Sequence, residues 1–321
     1  MKKIIITIPM EEKNRKEIEK IALGYEILYV GKESIETKDL ENAEIILGNL
    51  SPNMLKNCRE LKWLHLNSSG ANDYTKEGVL KEGTLLTNST GAYGLAIAEH
   101  MLAMVLALKK KLNLYNENQK RHLWHDEGEV TSIFGSKTLV VGMGDIGGEF
   151  AKRMYLLGSK VYGIKRNKID KPEYIEEIYQ MSELESVLSK FDIVALSLPE
   201  TKETINLFNI EKFKKMKKGA ILLNVGRGSA INTQDLCVAL NEGIIGGACL
   251  DVVDIEPLPE NSPLWDAKNL ILTPHVAGDF HLDRTLERIR EITIENLKRY
   301  FKEETLINIV DFQTGYRKFI K

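Results

Sequence analysis

The sequence predicts a two-domain α/β protein in which each domain is built on a parallel sheet. Three observations lead there. With 321 residues the chain exceeds one average domain and is long enough to bury two cores. Short apolar runs alternate with amphipathic, Lys/Glu-rich stretches along most of its length. In the second part most of those runs are continuously apolar rather than alternating, which is how strands covered on both faces read.

The opening MKKIIITIP carries an apolar run, Ile4 to Ile8, that is too short for a signal peptide, and no small-residue cleavage site follows. It is expected to be a first strand. EILYV, EIILG, LKWLHLN and TLLTN follow as strand candidates with helix-like segments between them, so the first hundred residues form a small α/β sandwich. A long helical pattern begins near Gly94. After a polar stretch containing Trp124, the rhythm resumes with TLVVGMG, KVYGIK, DIVALSLP, AILLNVG, GACLDVV and LILTPH, giving six further strands. The segment 283–304 has apolar residues at helical spacing (Leu286, Ile289, Ile292, Ile294, Leu297), and its tail, with Ile307, Ile309, Val310 and Phe312, is expected to return to the first domain. The expected division is 1–98 with 287–321 against 99–286. No repeat or Pro/Gly/Ser-rich tether intervenes, so helices should connect the halves, with the cleft between them as the natural ligand site.

Composition narrows the partners. A net charge of -2 and a pI near 6.4 leave no excess of positive charge to hold a polyanion, so no nucleic acid is expected. The longest other apolar stretch, Met101 to Leu108, falls far below the roughly 20 residues of a spanning helix, so no membrane segment is expected. Cys58, Cys237 and Cys249 are few, odd in number and widely separated, which suits reduced thiols and a cytoplasmic location better than disulfides or a zinc site.

The stretch TLVVGMGDIGGEFAKRMYLLG contains Gly142-x-Gly144-x-x-Gly147. Glycines at this spacing also occur in ordinary turns, but here a strand precedes, a helix follows, Gly158 suits the helix C-terminus and a new strand starts at Lys160. Gly142 permits the tight turn, Gly144 lets backbone N–H groups approach a pyrophosphate, and Gly147 lets helix and strand pack closely. The loop from Gly142 through Met143, Gly144, Asp145 and Ile146 to Gly147 is therefore a dinucleotide-binding candidate. A bare strand-turn-helix is the alternative.

Three more strand ends carry reactive side chains: Arg227 in LLNVGRGSAIN, Glu256 in GACLDVVDIEPLPE and His275 in LILTPHVAG. Each alone has an ordinary explanation as a solvated side chain. All three follow the C-terminal ends of predicted parallel strands, where ligands bind in open α/β sheets. His122 and His125 form an HxxH pair with no third ligand nearby, better explained as a solvated turn than as a metal site. His100, beside Glu99 in the long helix, reads as structural.

The motifs together resemble those of the D-isomer-specific 2-hydroxyacid dehydrogenase family. The resemblance covers nearly the whole chain: NSSGAND from Asn67, TGAYGLAIAEH, the glycine loop, SLP at Ser197, NVGRG, the segment from Asp251 to Pro257, SPLW at Ser262 and TPHVAG. It implies a Rossmann doubly wound parallel sheet and a smaller flavodoxin-like α/β substrate domain. It implies an oxidoreductase that passes a hydride between NAD(P)H and a small 2-keto acid, such as glyoxylate, hydroxypyruvate or a branched or aromatic analogue, to give the D-2-hydroxy acid.

Residue by residue, the resemblance makes His275 the general acid and base, with Glu256 pairing its imidazole and Arg227 holding the substrate's carboxylate and keto oxygen. Backbone N–H groups of Ser69, Gly70 and Ala71 grip the carboxylate. Asp251, which as a bare residue could equally cap a turn, meets the nicotinamide amide. Leu198, Pro199, Val225, Gly226, His275 and Gly278 line the cofactor groove. Elementary chemistry agrees: hydride arriving at a keto carbon builds negative charge on oxygen, so a proton donor and a cation must already be aimed there. A carboxylate beside an imidazole favours its protonated form.

The chain departs from the family pattern at Thr90, where proline is frequent, at Tyr93, where asparagine is frequent, and at Asn72, which replaces an aspartate while Asp73 stands adjacent. A homodimer through the cofactor domains is also implied, and the apolar stretch Ala96 to Leu108 suggests an interface. In KVYGIKRNK, 18 residues beyond Gly147, stand Lys165 and then Arg166, with no acid before Asp170. An acid there would bond the ribose 2′-hydroxyl of NAD, whereas arginine accommodates the 2′-phosphate of NADP. NADP is expected to be preferred, with NAD possible through other contacts. A reading of a different class is a dinucleotide-sensing, corepressor-like binding protein on the same fold.

Overall fold

The computed structural model describes residues 2–165, 171–313, 315, 317 and 318. The chain divides into two compact units, Met1–Tyr93 with Phe280–Lys321, and Gly94–Asp279. The divisions lie a few residues before those read from the sequence, because the helices that open each segment begin at Gly94 and Asp283.

In the first unit β1 (Lys3–Ile6), β2 (Glu26–Tyr29), β3 (Ala43–Leu47), β4 (Trp63–His65) and β5 (Leu85–Thr87) form a parallel sheet in the order β2-β1-β3-β4-β5. This is the flavodoxin-like order. All five strands coincide with the apolar runs. Ile4, Ile5 and Ile6 are at most 1 % exposed, so β1 is covered on both faces, which only an unbroken apolar run can satisfy. The connections include α1 (Glu12–Ile21) and the short α2 (Pro52–Leu55).

The second unit opens with α3 (Gly94–Lys109) and α4 (Leu112–Lys120). It continues through β6 (Lys137–Val141), α5 (Asp145–Leu156), β7 (Lys160–Ile164), β8 (Glu177–Tyr179), α6 (Leu184–Val187) and β9 (Ile193–Leu196). It ends with α7 (Ile210–Lys215), β10 (Ile221–Asn224), α8 (Thr233–Asn241), β11 (Gly247–Leu250) and β12 (Leu270–Leu272). The sheet is parallel throughout in the order β12-β11-β10-β9-β6-β7-β8, a doubly wound Rossmann sheet whose direction of winding reverses between β6 and β9.

Seven strands replace the six expected. β8 escapes the sequence reading because it is a three-residue edge strand with exposed Glu177 and half-buried Ile178, and so leaves no apolar run. The apolar length of α3 is also largely satisfied at home: Ile97, Ala98, Met101, Met104 and Val105 are buried, and the helix packs on α5 and β11. Leu102, Leu106 and Leu108 stay only partly buried, so the helix keeps an outward apolar face.

In the first unit α9 (Asp283–Phe301) buries Ile289, Ile292, Ile294 and Leu297. Its tail returns to the sheet, with Val310 donating its N–H to Leu86 O at 2.8 Å and Ile309 bridging Thr87. Among the described residues no helix is long and apolar enough to cross a membrane.

The one fully buried histidine of this unit shows what the core tolerates. Trp63 Nε1–H donates to Thr87 Oγ1 (2.9 Å), so the Thr87 hydroxyl proton is left for His65 Nδ1 (2.8 Å). The Ser89 hydroxyl donates to Leu66 O (2.9 Å) and therefore accepts from His65 Nε2–H (3.3 Å). The set is complete with a neutral ring, and burial lowers its pKa from 6.5 to about 3. The unfolded chain takes up a proton that the folded chain refuses, so stability rises with pH between about 3 and 6.5 and is lost as pH falls through that window. At roughly 1.4 kcal/mol per pKa unit the effect reaches several kcal/mol. Melting temperature should therefore drop as the buffer is taken from neutral to mildly acid, and drop less steeply in His65→Gln. Parallel slopes would exonerate His65.

Candidate active site

The glycine loop joins β6 to α5 at the point where the sheet reverses. Gly142 has a φ of 102°, and a Cβ there would stand 2.6 Å from the Ser197 carbonyl oxygen. Ser197, just beyond β9, donates its hydroxyl to Gly142 O at 2.6 Å, tying together the ends of the two strands that flank the reversal. A Cβ on Gly147 would fall 2.0 Å from Gly142 O, so α5 rests directly on the turn.

Gly144, the N-cap of α5, is different: its φ is -87°, and a Cβ would meet nothing within 4 Å. A side chain there is conformationally acceptable, yet it would fill the space in front of the unpaired N–H groups that begin a helix. Two glycines are required by packing and the third by something that approaches the helix terminus, which fits a pyrophosphate. Met143 is buried, with its side chain against Gly163 of β7, while Asp145 and Ile146 form the partly buried first turn.

Among the other expected groove residues, Leu198, Val225 and Gly226 are buried, and Pro199 and Gly278 are partly buried. A Cβ on Gly226 would lie 2.3 Å from Leu198 O, so the loops after β9 and β10 touch. Lys165 directly follows β7 and donates its N–H to Tyr179 O at 3.3 Å. Arg166, the expected NADP contact, lies outside the described residues.

Arg227, Glu256 and His275 follow β10, β11 and β12, three adjacent strands. Asn224, the fully buried last residue of β10, accepts from Gly226 N–H (3.0 Å) through Oδ1 and donates from Nδ2 to Arg227 O (2.8 Å). A Cβ on Gly228 would sit 1.9 Å from the Val253 carbonyl carbon, so the Arg227 loop lies directly on the loop after β11. Val253 N–H in turn donates to Glu256 Oε1 (3.0 Å), and Glu256 Oε2 faces His275 Nδ1 at 2.8 Å. The carboxylate accepts a hydrogen bond from Nδ1–H and leaves Nε2 as the nitrogen open to a ligand. The His275 side chain is 51 % exposed.

His275 occupies the left-handed backbone region, φ 56°, which few non-glycine residues adopt. Asp251 holds it there. The Asp251 main-chain oxygen accepts His275 N–H at 2.8 Å. Its carboxylate, 3 % exposed, accepts from the Thr273 hydroxyl (2.6 Å), Val276 N–H (3.0 Å) and Ala277 N–H (3.2 Å). In the structure Asp251 is therefore the turn cap that the sequence left open beside a nicotinamide contact.

In the first unit the loop after β4 is locked from one side. Asn49 and Asn67 exchange backbone-to-side-chain bonds of 2.9 and 3.0 Å, and the Tyr93 hydroxyl donates to Asn67 O at 2.5 Å. Ser68 O accepts from Ser89 N–H, Ser69 O from the Asn88 amide, Gly70 O from the Ser68 hydroxyl, and Ala71 O from Tyr74 N–H. Every carbonyl is committed, while the N–H groups of Ser69, Gly70 and Ala71 have no acceptor among the described residues. Such a row of amides suits an anion. Tyr93, a departure from the family pattern, thus steadies this loop, and Asn308 Nδ2 anchors Thr90 O at 2.7 Å.

Sequence reasoning passed over Asn224, Asn49 and Asn88 as individual residues. Asn224 did leave a signal, an amide closing the otherwise apolar run ILLN, where burial demands a partner.

Residues 102–277 match the family model described as D-isomer specific 2-hydroxyacid dehydrogenase, NAD binding domain. A glyoxylate reductase from Thermofilum pendens is 35 % identical over 231 residues, covering 70 % of this chain and 67 % of that protein. The crystal structure of a D-isomer specific 2-hydroxyacid dehydrogenase family protein from Aeromonas salmonicida superposes with a TM-score of 0.85 at 30 % identity, over 97 % of this chain and 99 % of that one. A D-isomer specific 2-hydroxyacid dehydrogenase from Xanthobacter autotrophicus, solved with NADPH, gives a TM-score of 0.80 at 25 % identity, over 98 % and 99 %.

The two kinds of glycine should separate in experiment. Gly144→Val is expected to keep the melting temperature within a degree or two and to abolish the thermal shift produced by a nicotinamide dinucleotide. Gly147→Val is expected to lower the melting temperature by many degrees with or without cofactor. Undiminished dinucleotide binding by Gly144→Val would remove the cradle reading.

Proposed function

Because the chain belongs to the D-isomer-specific 2-hydroxyacid dehydrogenases, a family of NAD(P)-dependent oxidoreductases, we propose that it reduces a small 2-keto acid of the glyoxylate and hydroxypyruvate type to the D-2-hydroxy acid. The observation that carries the proposal is the contact of 2.8 Å between His275 Nδ1 and Glu256 on a turn held in the left-handed conformation. A bound nicotinamide dinucleotide supplies the hydride. The chain's own residues place the substrate and manage the proton.

His275 gives the Nε2 proton to the keto oxygen as negative charge gathers there and takes it back in the reverse direction. Glu256 stabilises the imidazolium before transfer and fixes the ring's orientation. Arg227, on a loop without slack, holds the carboxylate and keto oxygen through its planar fork. The amides of Ser69, Gly70 and Ala71, in the first unit, are suited to a substrate carboxylate. The loop Gly142–Gly147 would hold the pyrophosphate, Asp251 the nicotinamide amide, and Leu198, Pro199, Val225, Gly226 and Gly278 would line the groove.

We assign NADP as the preferred form, with NAD as the weaker one, from Lys165 and Arg166 and the lack of an acid before Asp170; the Xanthobacter relative's NADPH supports this. The three buried free thiols suit a reducing cytoplasm.

A homodimer through the second unit is also proposed, and a further surface supports it besides α3. Trp124 is fully exposed, and Leu112, Leu123, Phe134 and Leu156 are more than half exposed. Phe134 lies against Gly158 at the end of α5, and these exposed apolar side chains suit a second copy of the chain.

Assayed with a panel of 2-keto acids, the protein should oxidise NADPH with a higher kcat/KM than NADH, and His275→Ala or Arg227→Ala should each lower kcat by about 10²- to 10⁴-fold without lowering the melting temperature. A preference for NADH would overturn only the cofactor assignment. Tight cofactor binding without turnover on any keto acid would favour the dinucleotide-sensing reading. Light scattering should give the mass of two chains, and Trp124→Asp with Phe134→Asp the mass of one; a wild-type monomer would refute the dimer.

A further inference from the structure

The turn carrying His275 is held by a hydrogen-bond chain that leads away from the reacting groups and ends on α3. Asp251 is nearly sealed from solvent, so its carboxylate depends on donors from the protein. One of them, the Thr273 hydroxyl, has a single proton and commits it to Asp251 Oδ1 at 2.6 Å. Thr273 Oγ1 can then only accept from His100 Nε2, which lies 3.0 Å away, so His100 must carry its proton on Nε2. The same nitrogen stands 3.9 Å from Asp251 Oδ1, the one basic side chain within ion-pair range of that carboxylate among the described residues. His100 itself is partly buried, and 173 residues of sequence separate it from Thr273.

We propose that His100 is a positioning residue for the reaction: through Thr273 it orients the Asp251 carboxylate, and Asp251 holds His275 in the backbone conformation that sets Nδ1 on Glu256. A non-glycine residue stays left-handed only where its surroundings over-determine it. At His275 the determining contacts are Asp251 O on its own N–H and the Asp251 carboxylate on the N–H groups of Val276 and Ala277. Loosening Thr273 leaves the carboxylate free to turn, and a displacement of the imidazole by about 1 Å is enough to cost a large factor in rate. Among the described residues no hydrogen bond or ion pair joins His100 to His275 or Glu256, so its effect has to pass through the chain. The inference rests on the reading of His275 as the acid and base of keto-acid reduction.

The test is steady-state kinetics on the full-length protein with NADPH and its best 2-keto acid, together with fluorescence titration of NADPH and thermal melts. His100→Leu should lower kcat by about tenfold or more, with any rise in the Kd for NADPH smaller than the loss in kcat. Thr273→Val should give the same loss, and the double variant should be no worse than either single one, because both break one chain. His100→Gln presents an amide N–H near the place of Nε2 and should recover most of kcat.

Wild-type kcat in His100→Leu would overturn the proposal, as would additive losses in the double variant or a His100→Gln as slow as His100→Leu. Should His100→Leu fail to fold, the comparison of Thr273→Val with Thr273→Ser, which restores the hydroxyl, decides in the same way. His275→Ala, run alongside, separates the two levels: full activity there sinks the assignment of His275, whereas an inactive His275→Ala beside an unaffected His100→Leu sinks only the role of His100.

Discussion

A carboxylate kept from water must find its donors in the protein, and at Asp251 those donors are the backbone of the turn carrying His275. That requirement orders much of what surrounds it. β11 has to deliver Asp251 at its end, β12 has to deliver Thr273 beside it, and the chain beyond must curl tightly enough for two successive N–H groups to reach one carboxylate. A left-handed residue is the geometric result, and in this chain the residue is a histidine. Conformation and chemistry are thus set by one buried charge rather than by separate devices.

The parallel sheet explains why such a cluster can be built. Strands that run the same way bring all their C-terminal ends to one edge, so β10, β11 and β12 deliver a guanidinium, a carboxylate and an imidazole to neighbouring loops although 48 positions separate Arg227 from His275. Gly228 against Val253, and Gly226 against Leu198, then close the gaps to backbone contact. No side chain intervenes between these loops, so none can change its rotamer and let them part.

Most of this was legible in the sequence. Central strands buried on both faces have to be unbroken apolar runs, and every such run became a strand. β8 was not legible, because an edge strand of three residues with one wet face carries too little pattern. The reactive residues stood out because histidine, glutamate and arginine at strand ends have chemistry to declare. Asn224, Asn49, Asn88, Thr273 and His100 did not. Each matters through a partner that only the folded chain supplies, at a separation from 3 to 173 residues, and no local period encodes such a pairing.

The loop from Ser68 to Ala71 has its carbonyls turned into the protein and three of its amides without an acceptor among the described residues, so it carries positive potential with no charged side chain of its own. A lysine or histidine in the same place would weaken or strengthen with pH. Peptide dipoles have no proton to lose. The loop's attraction for an anion is therefore constant for as long as the backbone keeps its shape, and that shape is tied through Ser89, which accepts from the neutral His65 ring and donates to Leu66 O. The field itself cannot be titrated; only its foundation can.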